Sequence, residues 1–79
     1  MQEEQFRRNV ELRKEMDLLY RGKRWKLDYG TDDSGKNYIS FGEEFLPAGH
    51  YYTYGQLVNE AHLGISPLRE SIEVLELIG

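Results

Sequence analysis

The sequence predicts an α+β fold: an N-terminal helix, an antiparallel β-hairpin with a short third strand, and a C-terminal helix–turn–helix hairpin. Three observations predict it. Residues 2–20 are rich in good helix formers and contain neither glycine nor proline. Trp25, Leu27 and Tyr29 alternate with Arg24, Lys26 and Asp28, the period of a half-buried strand. From Thr53 to Ile78, apolar residues recur at helical spacing on either side of Gly64 and Pro67.

The first helix runs to Tyr20, with Phe6, Val10, Leu12, Met16, Leu19 and Tyr20 in one broad sector of its wheel. Glu3 and Glu4 suit the positive end of its dipole, and both have an arginine four residues on, at Arg7 and Arg8. Gly22 ends it. The hairpin's loop falls within Gly30 to Lys36, where Thr31-Asp32-Asp33-Ser34-Gly35 is a dense turn cluster. Asn37 to Phe41 is the return strand, with Ile39 and Phe41 on one side. Pro47-Ala48-Gly49 makes a turn, and His50-Tyr51-Tyr52 a short third strand.

Thr53 and Gln56 then have capping-box spacing. Tyr54, Leu57, Val58, Ala61 and His62 form a helical stripe behind that cap, and Gly64 supplies a left-handed C′ residue. Ser66-Pro67 reads as a fresh N-cap with proline at N1, opening a second helix with Leu68, Ile72 and Leu75 as its seam. The expected core draws on Val10, Met16, Leu19, Trp25, Leu27, Ile39, Phe41, Leu57, Val58, Ala61, Ile65, Leu68, Ile72 and Leu75.

At 79 residues the chain is expected to be one domain, residues 1–79. A domain of that size buries only ~60 % of its unfolded surface, so its stability is marginal or shared with a partner. It has no cysteine, which excludes disulfides, thiolate catalysis and cysteine-based metal sites and fits a reducing cytoplasm. No apolar run approaches the ~20 residues of a membrane span, and the first residues lack a signal peptide's apolar region. A soluble cytoplasmic protein is expected. Charge is unevenly spread. Residues 1–36 carry nine Lys/Arg against eight Asp/Glu, whereas residues 37–79 carry one, Arg69, against six Glu; the net charge is -4.

Several stretches invite a chemical reading. Gly30 to Lys36 has P-loop spacing, but Asn37 stands where magnesium needs a hydroxyl, strand-like residues follow, and Asp32 and Asp33 would repel phosphate. Asp28, Asp32 and Asp33 lack the order and the twelfth-position glutamate of a calcium loop. His50 and His62 belong to no HExxH pattern, and no G-x-S-x-G elbow is present. Neither catalytic residue, metal nor cofactor is expected, and so no small-molecule substrate.

Arg21-Gly22-Lys23-Arg24-Trp25-Lys26 can meet phosphates and stack a base, against the plainer reading of a core tryptophan between solvated charges. As a DNA-reading unit the C-terminal hairpin has Glu60 and Glu70 where the common pattern wants small and apolar residues. Its second helix would also set Glu70, Glu73 and Glu76 against a polyanion, with only Arg69 to meet phosphate. Leu46-Pro47-Ala48-Gly49 followed by Thr53-Tyr54-Gly55-Gln56-Leu57 resembles the start of the helix–turn–helix in alkylguanine-DNA alkyltransferases and their relatives. The likeness covers about a dozen residues and implies a helix–turn–helix after a proline–glycine turn. The family's reactive Pro-Cys-His-Arg segment has no counterpart in this chain.

The function expected from these features is a small, non-enzymatic interaction or regulatory module that binds another protein or a second copy of itself. Val74, Leu77 and Ile78, lying off the Leu68–Ile72–Leu75 seam, are the expected interface. The alternative is a helix–turn–helix-like nucleic-acid-binding regulator using Arg21, Lys23, Arg24, Trp25, Lys26 and Arg69. No membrane partner is expected.

Overall fold

In the computed structural model, which describes residues 1–78, the first helix stops well short of Tyr20. α1 (Glu3–Glu11) buries Phe6, Asn9 and Val10, and Arg13 then takes a φ of 55°, a left-handed conformation through which no right-handed helix continues. The residues expected to form its last turns are instead a strand, β1 (Met16–Tyr20), with Met16, Leu18 and Tyr20 buried and Asp17 and Leu19 on the other side. Met16, Leu19 and Tyr20 satisfy a helical sector, and Met16, Leu18 and Tyr20 a strand's period. Pairing settles the choice, because β1 lies along β2 (Lys23–Thr31) with Leu18 opposite Trp25 and Met16 opposite Leu27. Arg21 and Gly22, with φ of 49° and 79°, are the two left-handed residues of a type I′ hairpin loop.

The central hairpin forms as the alternation predicts. β2 pairs with β3 (Asn37–Glu43), setting Leu27 against Phe41 and Tyr29 against Ile39. The third strand is present as β4 (Gly49–Tyr51). Trp25 stacks on Phe41 with ring centroids 5.5 Å apart. Burial of these side chains against Phe6 and Val10 of α1 and Leu57 and Val58 of α2 (Tyr54–Glu60) makes one core on one face of the sheet. The opposite face is polar and wet, as an antiparallel sheet permits.

The C-terminal helix–turn–helix hairpin does not form. The cap itself is real: Thr53 Oγ1 accepts the Gln56 N–H at 2.9 Å, and Gln56 Oε1 accepts the Tyr52 N–H at 2.7 Å. α2 nevertheless ends at Glu60, and Ala61 is extended. His62–Leu63 (β5) and Ser66–Pro67 (β6) pair as a small hairpin. Gly64 is left-handed (φ 67°), as expected, but in a hairpin turn rather than at a helix end. Ser66 and Pro67 are strand residues, not a new cap.

Two short 3₁₀ turns follow, Leu68–Glu70 and Ile72–Val74, broken at Ser71, whose hydroxyl donates back to the Pro67 carbonyl at 3.0 Å. They bury Leu68, Ile72 and Leu75 without an α-helix. The chain then extends into β7 (Glu76–Leu77), which pairs with β1 through Leu18–Leu77 and Leu19–Glu76. The five-stranded antiparallel sheet is therefore ordered β4-β3-β2-β1-β7. The docking helix expected over Ile72 to Ile78 does not exist; that stretch ends in the same sheet as Trp25. The α+β class stands, with a sheet where a helical pair was expected. Among the described residues no helix is long and apolar enough to cross a membrane.

Candidate protein-binding surface

The expected interface residues Val74, Leu77 and Ile78 are all exposed. Val74 closes the second 3₁₀ turn. Leu77 and Ile78 are consecutive on extended chain and so point to opposite faces of the sheet; the Ile78 N–H donates to the Asp17 carbonyl at 2.9 Å.

The basic stretch is largely charge-balanced. Lys23 lies 4.0 Å from Glu43, Arg24 4.0 Å from Glu44, and Lys26 3.8 Å from Asp17. Trp25 is only 8 % exposed, so its ring offers no free face for a base to stack on. Arg69 is engaged with Asn59, its Nε donating to Oδ1 at 2.8 Å. Arg21 alone in the stretch lacks a carboxylate partner among the described residues; its guanidinium sits over the Tyr20 ring, 5.3 Å from the centroid.

The loop with P-loop spacing is a self-capped turn. Asp32 Oδ1 accepts the backbone N–H groups of Ser34 and Lys36, both at 2.9 Å, and the Ser34 hydroxyl at 2.7 Å, so amides that a phosphate would need are occupied. Tyr52 donates to the other oxygen at 3.0 Å. These bonds, the Ser34 hydroxyl foremost, hold the Asp32 carboxyl at about 2. Across the wet face the register sets Asp28, Ser40 and His50 in one row. The His50 ring stacks on Tyr38, with centroids 4.0 Å apart, and no hydrogen bond joins it to Ser40, so the row is not a wired nucleophile and base.

A different surface draws the apolar exposure together. Where β2 and β3 end, Trp25 stands opposite Glu43. A groove of about 250 Å³ runs from that pair between the Arg21–Gly22 and Gly64–Ile65 turns. A second, of about 350 Å³, runs from the same pair past Leu46 and Pro47. Trp25, Glu43 and Gly64 line both, so the two meet. Glu43 also borders a third hollow walled by Phe45. The rim is apolar and protrudes: Phe45 is 94 % exposed, Ile65 96 % and Leu46 58 %.

Local chemistry explains how each is held out. Ile65 occupies a two-residue turn that Gly64 enables. Leu46 N–H donates to the Glu43 carbonyl at 3.1 Å, closing a turn over Glu43 to Leu46 with Phe45 in its third place. Phe45 has a φ of 70° there, where a type II turn wants glycine. Tyr20 donates to Ser66 Oγ at 3.2 Å and so ties one groove wall to the other; the Ser66 hydroxyl lowers the phenol's pKa, against desolvation. Trp25 lines both grooves, and its Nε1 is buried without a hydrogen-bond partner.

Sequence reading missed this rim. Ile65 was expected in the core, and Phe45 and Leu46 looked like connector residues; the adjacent Phe45-Leu46 pair in a Gly/Glu/Pro loop was the available signal. No family model, curated protein or solved structure matches the chain. The local likeness to alkyltransferases accordingly stops at the capped start of α2, where the second helix it implies is absent.

Proposed function

We propose that the protein is a small, non-enzymatic module that binds another protein, acting in the cytoplasm that a cysteine-free chain suits, and that its docking surface is the Phe45–Leu46–Ile65 rim around the Trp25 grooves. Phe45 carries this reading. Its side chain gains almost no burial and its backbone is in a conformation disfavoured for every residue with a Cβ. Neither packing nor local geometry rewards phenylalanine there, whereas a large rigid aromatic on a protruding turn is the kind of anchor that interfaces use. The rim also sets the exposed Phe45, Leu46 and Ile65 on three adjoining hollows that share Glu43.

The test compares the wild-type chain with a Phe45→Ser, Ile65→Ser double variant in cross-linking followed by mass spectrometry, using nuclease-treated lysate of the cell the chain comes from. The double variant retains its thermal midpoint and loses the cross-linked protein partner. An unchanged cross-link pattern refutes the rim as the docking surface. Nucleic-acid binding through Arg21 to Lys26 would show instead as capture that nuclease removes and that falls steeply between low and moderate salt.

A further inference from the structure

Taking that rim as the docking surface, we propose that the groove between the Arg21–Gly22 and Gly64–Ile65 turns is an anchor pocket for one large apolar side chain of a partner peptide, flanked in that peptide by carboxylates. The size of the groove selects a side chain over a metabolite. At about 250 Å³ it lies below the ~300–1,000 Å³ of pockets that enclose drug-sized ligands, and it is open along its length. Its walls are Tyr20, Trp25, Leu63 and Ile65, apolar over most of their surface. A single leucine or phenylalanine fills such a slot, as anchor residues do at interface centres.

Charge selects the flanks. Arg21 overhangs the groove with no carboxylate partner among the described residues, and its guanidinium is parked on the Tyr20 ring. Lys23 stands on the same wall, 69 % exposed and at the limit of ion-pair distance from Glu43. The pocket's own charge is thus two cations against the single carboxylate of Glu43. It is a local excess of positive charge on a chain whose net charge is -4, and an acidic segment is drawn to it, while a basic one meets two cations and only Glu43, already beside Lys23.

The chain's sole tryptophan lies in the proposed pocket, so binding reports on itself. Short synthetic peptides with a central leucine or phenylalanine, flanked by glutamates, by lysines or by serines, are titrated into the full chain while Trp25 emission is followed. The glutamate-flanked peptides saturate the signal, the serine-flanked ones bind more weakly, and the lysine-flanked ones do not bind. Ile65→Ser, at a 96 % exposed site that leaves the fold intact, lowers affinity by about tenfold or more. Arg21→Ala lowers it about two- to fivefold and only for the glutamate-flanked peptides.

Equal binding of lysine- and glutamate-flanked peptides overturns the proposal, as does no saturable signal at about 1 mM peptide. Self-association of the peptide-free chain by sedimentation, abolished by Ile65→Ser, would give the groove to a second copy and overturn it as well. The two readings fail separately. If peptides do not bind but the double rim variant still loses its cross-linked partner, only the anchor pocket falls. If the cross-links persist in that variant, the docking surface itself falls.

Discussion

Replacing Phe45 by glycine should leave the protein as stable as before or more so. The side chain is 94 % exposed, so removing it takes almost no apolar area out of the folded state. Its φ of 70° is left-handed, which costs a residue with a Cβ about 1–2 kcal/mol and glycine nothing. Against that gain, glycine adds freedom to the unfolded chain, an opposing ~0.4–1 kcal/mol. The balance lies between neutral and about 1.5 kcal/mol stabilising. Its centre, near ~0.7 kcal/mol, raises the midpoint by about 4 °C in a domain of this size. Phe45→Ala keeps the left-handed strain and should stay within about 0.5 kcal/mol of wild type. Urea titrations followed by circular dichroism measure all three chains, with an unchanged slope expected because the surface exposed on unfolding barely changes. A loss above about 1 kcal/mol in Phe45→Gly, or equal gains in both variants, refutes the reasoning and makes Phe45 a structural residue. A stabilised Phe45→Gly that has lost its partner would be stability traded for binding.

Trp25→Ala should cost about 3–5 kcal/mol by opening the core. Trp25→Phe keeps a ring over Phe41 and removes the unpaired N–H, so it should cost less than about 1.5 kcal/mol in the same titration; equal losses would show that the indole N–H is not a liability. The Asp32 carboxyl sits at about 2, below its unfolded value, so its contribution to stability is complete above the unfolded carboxylate range and is lost as pH falls through about 2. Asp32→Ala should therefore flatten the loss of stability between pH 4 and 2, and an unaltered acid limb would contradict this. Tyr29 and Tyr54 are pushed up to about 12, chiefly by burial. Raised phenol values contribute stability that is full below pH 10 and lost as pH rises through about 12. In a spectrophotometric titration these two should ionise well above the ordinary phenol range, and a Tyr29→Phe, Tyr54→Phe variant should resist alkaline unfolding better than wild type.

Local chemistry was legible where one period fitted one element. Trp25 and Leu27 alternate with charged neighbours and read as a strand; Asp32 to Gly35 read as a turn; Thr53 and Gln56 read as a cap. All three stand. The errors came where a set of residues fits two periods. Met16, Leu19 and Tyr20 suit a helical sector while Met16, Leu18 and Tyr20 suit a strand, and only the pairing with β2, three to eleven residues away, decides. Leu68, Ile72 and Leu75 have helical spacing, yet the chain turns as two 3₁₀ segments broken at Ser71 and then extends to pair beside β1. The exposed rim of Phe45, Leu46 and Ile65 was hidden for another reason. Ile65 looks like a core residue in sequence, and its exposure follows from Gly64 closing a hairpin turn instead of a helix.

The strand order has a kinetic consequence. Strands β1 to β4 form a meander of neighbours, each reached through a short connection, so that part of the sheet can assemble from local contacts. The fifth strand comes from residues 76–77 and must find residues 18–19 across more than fifty residues, a span that holds α2 and both 3₁₀ turns. Until it arrives, Leu18 and its neighbours form a bare margin with unpaired amides, the kind of template on which nascent chains stick to one another. The two-residue strand that contributes least to the ladder is thus the one that closes this margin, and it is the last piece of the sheet along the chain.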